Sequence, residues 1–243
     1  LMALLLAPTV PALLYERLSA ATTPMSFLHV ARLQRTADSA RRALEAGHPM
    51  LPAHTNLHYW SLPRNTEVAF SGARAVEVWY ADSTLTWSFW ERYEPGVDRS
   101  HDPILGFNVS VADPAVLMRP EAVRAYQDAI RAWDAGDLAR ADASFLDAVR
   151  AQRPPVDNFE NESIRLMARL ALARGNLLRA DSLNQADFRM SGATPTYFGM
   201  AAQLALAAGD SARARQAAER CLRLRSNDEE GRMVMRALEG GGP

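Results

Sequence analysis

The chain contains no lysine: all 27 of its basic residues are arginine. Chemistry that depends on an amine side chain, such as a Schiff-base lysine or the lysine of a phosphate-binding loop, is therefore excluded. There is one cysteine, Cys221, so neither an internal disulfide framework nor a cysteine-built zinc site is available. Excess charge is missing too. The 27 basic side chains face 28 acidic ones, whereas a general binder of nucleic acid or of an anionic membrane surface needs a positive surplus. No glycine-rich dinucleotide fingerprint, HExxH or GxSxG motif is present. What remains is ordinary globular composition, 48% hydrophobic and 23% charged, over 243 residues. That length is enough for one large core or two small ones.

Residues 1–14 (LMALLLAPTVPALL) are apolar apart from Thr9, but a helix that spans the hydrocarbon core needs roughly 20 such residues. They read as the exit end of a membrane helix, kinked at Pro8 and Pro11, or as a short helix buried on the domain. Residues 1–22 are accordingly assigned to the end of a membrane helix or anchor, and the rest of the chain to water. Residues 23–50 carry one amphipathic helix, Pro24 to Ala46, with Val30, Leu33, Ala37, Ala40 and Leu44 on the apolar face and Gly47 and Pro49 as its stop.

Residues 51–118 differ in composition. Ten of the nineteen aromatics fall between Tyr59 and Phe107, in 49 residues. Thr55 to Leu62 reads as a strand, Asn65 to Trp79 as a helix and Ser83 to Trp90 as a strand, an order that predicts a small parallel βαβ unit. Glu91 to Asp113 is loop-like, with a short extended stretch at Leu105 to Val111.

From residue 119 to 239 the pattern is helical and it repeats. Gly136, Gly175 and Gly209 each follow an alanine by seven residues (Ala129, Ala168, Ala202) and precede another by five (Ala141, Ala180, Ala214). The glycine intervals, 39 and 34 residues, fall in the range of stacked helical hairpins. The alanines mark close helix crossings, and the glycines mark turns that need a left-handed backbone or a tight approach. Asp228 to Leu238 reads as a capping helix, and residues 240–243 as a frayed tail.

With these markers, and with Phe145 and Ala148 at the aromatic and small positions of the first copy, the segment resembles the tetratricopeptide repeat (TPR) family. Asp187 departs from the small residue usual at its place, and Cys221 fills the same place in the third copy. The fold expected is mainly α: a TPR-like α-hairpin solenoid of three repeats plus a capping helix, preceded by the small α/β unit and an N-terminal helix. The resemblance implies that the first helices of the hairpins line a groove for a protein or peptide ligand. Offsets from the marker alanines place there Val123, Tyr126, Ile130, Trp133 and Asp134 from copy one, Glu162, Arg165, Arg169, Leu172 and Ala173 from copy two, and Thr196, Gly199, Gln203, Leu206 and Ala207 from copy three. Tyr126, Trp133, Asp134, Glu162, Arg165, Arg169 and Gln203 are the candidate binding residues: the aromatics for contact area, the arginines for bidentate grip on a carboxylate or phosphate. An alternative is that Tyr126, Trp133 and Leu172 seal against the aromatic unit and leave no open groove. The asparagine–lysine clamp of some family members is not present.

No catalytic residues, metal ligands or cofactor are expected. His54 and His58 have a metal-like spacing but lie in extended sequence, where they share a strand face; Asp98, Arg99, His101 and Asp102 read as a solvated polar loop. The expectation is a non-enzymatic protein-interaction scaffold of a membrane-anchored bacterial protein, its soluble part extracytoplasmic, in the periplasm. The order of membrane exit, aromatic α/β unit and TPR-like tail also resembles the soluble end of multi-span membrane enzymes such as lipid-linked-sugar glycosyltransferases, in which catalysis would lie upstream.

Overall fold

The computed structural model describes residues 27–62, 70, 73–90, 102–108 and 114–240. The expected membrane exit (1–22), the polar loop from Asp98 to His101 and the tail end (241–243) lie outside the described residues. The chain divides into two units, one ending at Leu117 and the other beginning at Met118.

In the first unit, helix α1 (Phe27–Gly47) leads into strand β1 (Asn56–Tyr59), helix α2 (Arg74–Tyr80), and strands β2 (Thr86–Phe89), β3 (Ile104–Phe107) and β4 (Ala115–Leu117). The strands form one sheet in the order β2-β1-β3-β4. β1 and β2 pair in parallel, Leu57 opposite Trp87, so the expected βαβ arrangement is present. The extended stretch forecast near Leu105 is β3, which pairs in parallel with β1 and antiparallel with β4. The predicted first half of the crossover helix falls mostly on residues outside those described.

Alternation along the strands sends Leu57, Tyr59, Trp87, Leu105 and Phe107 to one face. There they pack with Ala40 and Leu44 of α1 and Val76 of α2. Tyr59 is the centre of the aromatic set, 5.2 Å from the Phe70 ring, 5.4 Å from Trp87 and 6.3 Å from Phe107. Helix α1 also supplies a polar partner: Ser39 Oγ accepts the Ala115 N–H at 2.8 Å and so ties the short strand β4.

In the second unit the described residues form α3 (Pro120–Asp134), α4 (Leu138–Ala151), α5 (Asp157–Ala173), α6 (Leu177–Ser191), α7 (Pro195–Ala207), α8 (Ser211–Leu224) and α9 (Glu229–Glu239). They pair as the hairpins α3–α4, α5–α6 and α7–α8, with α9 packed on α7 and α8. All six marker alanines are buried at the crossings. The three turns agree atom for atom. Gly136, Gly175 and Gly209 have φ of 78°, 71° and 76°. The next residue's N–H returns to a carbonyl five residues back, Asp137 to Ala132, Asn176 to Ala171 and Asp210 to Ala205. That same residue then caps the second helix, its side chain accepting the N–H of Arg140, Arg179 or Arg213.

Candidate interaction groove

The first helices α3, α5 and α7 carry the predicted groove positions, and the structure sorts them into three groups. Asp134 and Glu162 are exposed; Trp133 and Gln203 are partly buried, Trp133 with its ring edge-on to Phe145 at 6.5 Å. Val123 and Tyr126 are core residues, a correction to the groove expected from the repeat offsets. Tyr126 is 1% exposed because it is held between Phe145 of α4, at 5.3 Å, and Phe159 of α5, at 5.7 Å. The cause is tertiary: α5 has 17 residues against 15 in α3, and its first turn brings Phe159 over the tyrosine. Burial of this ring stabilises by about 2–3 kcal/mol, but it removes the ring from any ligand surface.

The third group is the arginines, and each already holds a carboxylate. Arg165 donates through Nε to Asp187 Oδ1 at 2.9 Å and through Nη2 to Ser191 Oγ at 3.1 Å, all within the second hairpin. Asp187 is 1% exposed, so the acid at the family's small position is explained: it occupies the place of Ala148 and Cys221 because Arg165 reaches in to neutralise it. Arg165 is thus a structural ion-pair partner rather than a free ligand grip. Arg169 donates to Glu230 of the capping helix α9. Their side chains are 41% and 20% exposed, so the pair contributes at most about 1 kcal/mol.

Room for Glu230 is made at Gly199 of α7. A Cβ there would come within 2.6 Å of Glu230 Oε2 and 3.1 Å of Glu230 Cβ. The equivalent offset holds Tyr126 in the first hairpin and Arg165 in the second. Glycine inside a helix costs about 1 kcal/mol relative to alanine, so the ion pair only offsets the residue that admits it. Beside this crossing is a cleft between α5, α6 and α7, lined by Arg165, Arg169, Asn184, Thr196 and Met200.

A further cross-brace joins the hairpins on the second-helix side. Asp142 of α4 accepts Arg179 of α6 through both oxygens, at 2.7 and 2.6 Å, with Arg174 at 3.6 Å. Two-oxygen pairing fixes orientation as well as charge, so it sets the angle between neighbouring hairpins. Sequence reasoning missed Glu230 and Asp142; only the phase of each residue on its helix marked them.

In the first unit the expected histidine pair does not converge. His54 is exposed in a left-handed turn (φ 63°), whereas His58 is buried on β1. Their strand-face relation is lost because β1 begins only at Asn56. On the sheet face opposite the aromatic core, the Ser88 hydroxyl lies 3.0 Å from His58 Nδ1, and Asn56 Nδ2 donates to Ser88 Oγ at 2.8 Å. Asp102 sits 3.7 Å from His58 Nε2, beyond hydrogen-bond reach, while its Oδ1 accepts the Asn56 N–H at 3.2 Å. Asn56 Nδ2 also lies 3.3 Å from His58 Nε2. The set ties β1, β2 and the start of β3 together. Among the described residues no group of three or more His, Cys, Asp or Glu side chains could hold a metal ion, and no helix is long and apolar enough to cross a membrane.

Comparison with known proteins adds likeness of fold. No protein-family model matches the chain, and no curated protein does. Among solved structures, the TPR domain of Arabidopsis OM64 is 8% identical, with a TM-score of 0.43, over 49% of this chain and 95% of that one. The first TPR of Spaghetti (RPAP3), bound to an HSP90 peptide, is 14% identical at 0.42, over 49% and 91%. The second TPR domain of human RPAP3, in complex with an HSP70 peptide, is 13% identical at 0.41, over 49% and 95%. By the geometry of its own turns and crossings, the segment from Pro120 to Glu239 is a TPR-like helical-hairpin solenoid, preceded by an α-helix and a small α/β unit.

Proposed function

We propose that this chain is a non-enzymatic scaffold that holds a segment of another protein against the first helices of its hairpins. The observation that carries the reading is the threefold repetition of one hairpin, with the same turn bonds and the same buried alanines. Such repetition builds an extended surface, since stacked repeats place equivalent side chains side by side. Asp134, Glu162 and Gln203 keep water-facing surface on that side and supply polar contacts, with Trp133 and Leu172 as partly buried apolar ones.

The apolar residues 1–14 support attachment to a membrane, and the arginine- and alanine-rich, lysine-free composition supports a bacterial one, with the soluble part proposed to lie in the periplasm. The order of apolar segment, aromatic α/β unit and TPR-like tail supports a second reading, in which the chain is the soluble end of a polytopic glycosyltransferase-like enzyme. Several apolar spans encoded upstream of Leu1 would favour it; a start codon and signal sequence directly upstream would remove it.

The scaffold reading is tested by cross-linking in the native cell and recovering the chain with its partner. The double variant Thr196→Glu and Gln203→Glu should recover about tenfold less of the partner, with the melting temperature held. An unchanged set of cross-linked species would overturn the reading.

A further inference from the structure

Of the two arginines on the first-helix face, Arg165 is bound within its own hairpin to a buried acid, but Arg169 is bound to a visitor. Glu230 comes from α9 and passes over α7 at Gly199, the one of the three equivalent positions that carries no side chain. The contact returns little stability, because both side chains remain partly hydrated. Its geometry nevertheless places a carboxylate on a cation in the middle of the surface that the proposed function assigns to the partner.

We propose that Glu230 is a built-in competitor, and that the ligand of this surface is an acidic segment of a partner protein which takes Arg169 by displacing it. The inference rests on the scaffold reading and states which chemistry that scaffold selects. The exchange conserves charge, since one carboxylate leaves Arg169 as another arrives. Release of Glu230 is also undemanding. It lies beside Glu229 in the first turn of α9, where the helix dipole favours an acid even without an arginine. The small cleft between α5, α6 and α7 is lined by Arg165 with its partner Asp187, and by Arg169, Asn184 and Thr196. A ligand that must displace an internal carboxylate is bound more weakly by the factor of that competition, which sets a threshold against weakly acidic or neutral segments.

The test uses the whole chain and a fluorescein-labelled, C-terminally amidated penta-glutamate peptide, with penta-glutamine as its uncharged counterpart, read by fluorescence anisotropy. Glu230→Gln should bind penta-glutamate about fivefold more tightly than the original chain, and penta-glutamine no better. Gly199→Ala, which pushes Glu230 aside without changing any charge, should move affinity in the same direction. Adding Arg169→Gln to Glu230→Gln should abolish the gain. Glu239→Gln, the same charge change at the far end of α9, should leave affinity as it was. The proposal is overturned if Glu230→Gln and Glu239→Gln act alike, or if penta-glutamate binds neither the original chain nor Glu230→Gln. Equal, Arg169-dependent binding by the original chain and Glu230→Gln would make Glu230 a brace and sink the proposal, while leaving the scaffold reading intact.

Discussion

Arg165 and Asp187 show how a single residue's meaning changes between sequence and structure. Read along the chain, Arg165 is a cation on a ligand face and Asp187 an irregularity at a small-residue position; in the fold each accounts for the other across 22 residues. The acid is buried and the arginine is 30% exposed, so the two halves of the pair respond differently to removal. Arg165→Leu strands a buried carboxylate and should cost about 3 kcal/mol in urea unfolding. Asp187→Ala leaves an arginine that can turn to water and should cost less, and the double variant should recover much of the loss from Arg165→Leu. If Arg165→Leu unfolds at the same urea concentration as the original chain, the pair does not hold the second hairpin.

Helices and turns were the most legible scale, because their causes are local. A left-handed turn residue selects glycine, a capping position selects aspartate or asparagine, and a close crossing selects alanine; all three signals recur in the same register. These elements predict two distinct responses in the second hairpin. At Gly175 no atom lies within 4 Å of an added Cβ, so Gly175→Ala should cost only the backbone strain, about 1 kcal/mol. Ala168 is buried at a crossing, so Ala168→Leu should overpack it and cost about 1–3 kcal/mol, with a lower thermal midpoint as the measure. A neutral Ala168→Leu would show that the crossing is looser than its burial implies. Strand β4 was not legible: three residues carry almost no alternation, and its bonds come from β3 and from Ser39, 76 residues earlier.

At the scale of the repeat unit, stability is a sum of neighbouring contacts, so the last hairpin depends on its cap. Helix α9 places Val234 in one cluster with Ala202, Ala214 and Ala218, and Cα of Gly231 faces the Leu222 and Cys221 side chains. Cys221 is fully buried, its thiol donating to the Pro195 carbonyl, and burial above all pushes its pKa up to about 12, from 9.0. In the whole chain the thiol should therefore resist alkylation at pH 8, where only the thiolate reacts. A chain ending at Asp228 should react readily and melt at a lower temperature. Slow alkylation of that truncated chain would mean that α9 does not shield the last hairpin. The sequence by itself determined the number of hairpins, their turns and their close crossings, since each depends on backbone conformation and side-chain size within a few residues. Only the tertiary structure decided that Tyr126 is core, that Arg165 is braced and that Arg169 meets Glu230 from 61 residues away, because helix length and phase, not local pattern, choose which side chains meet.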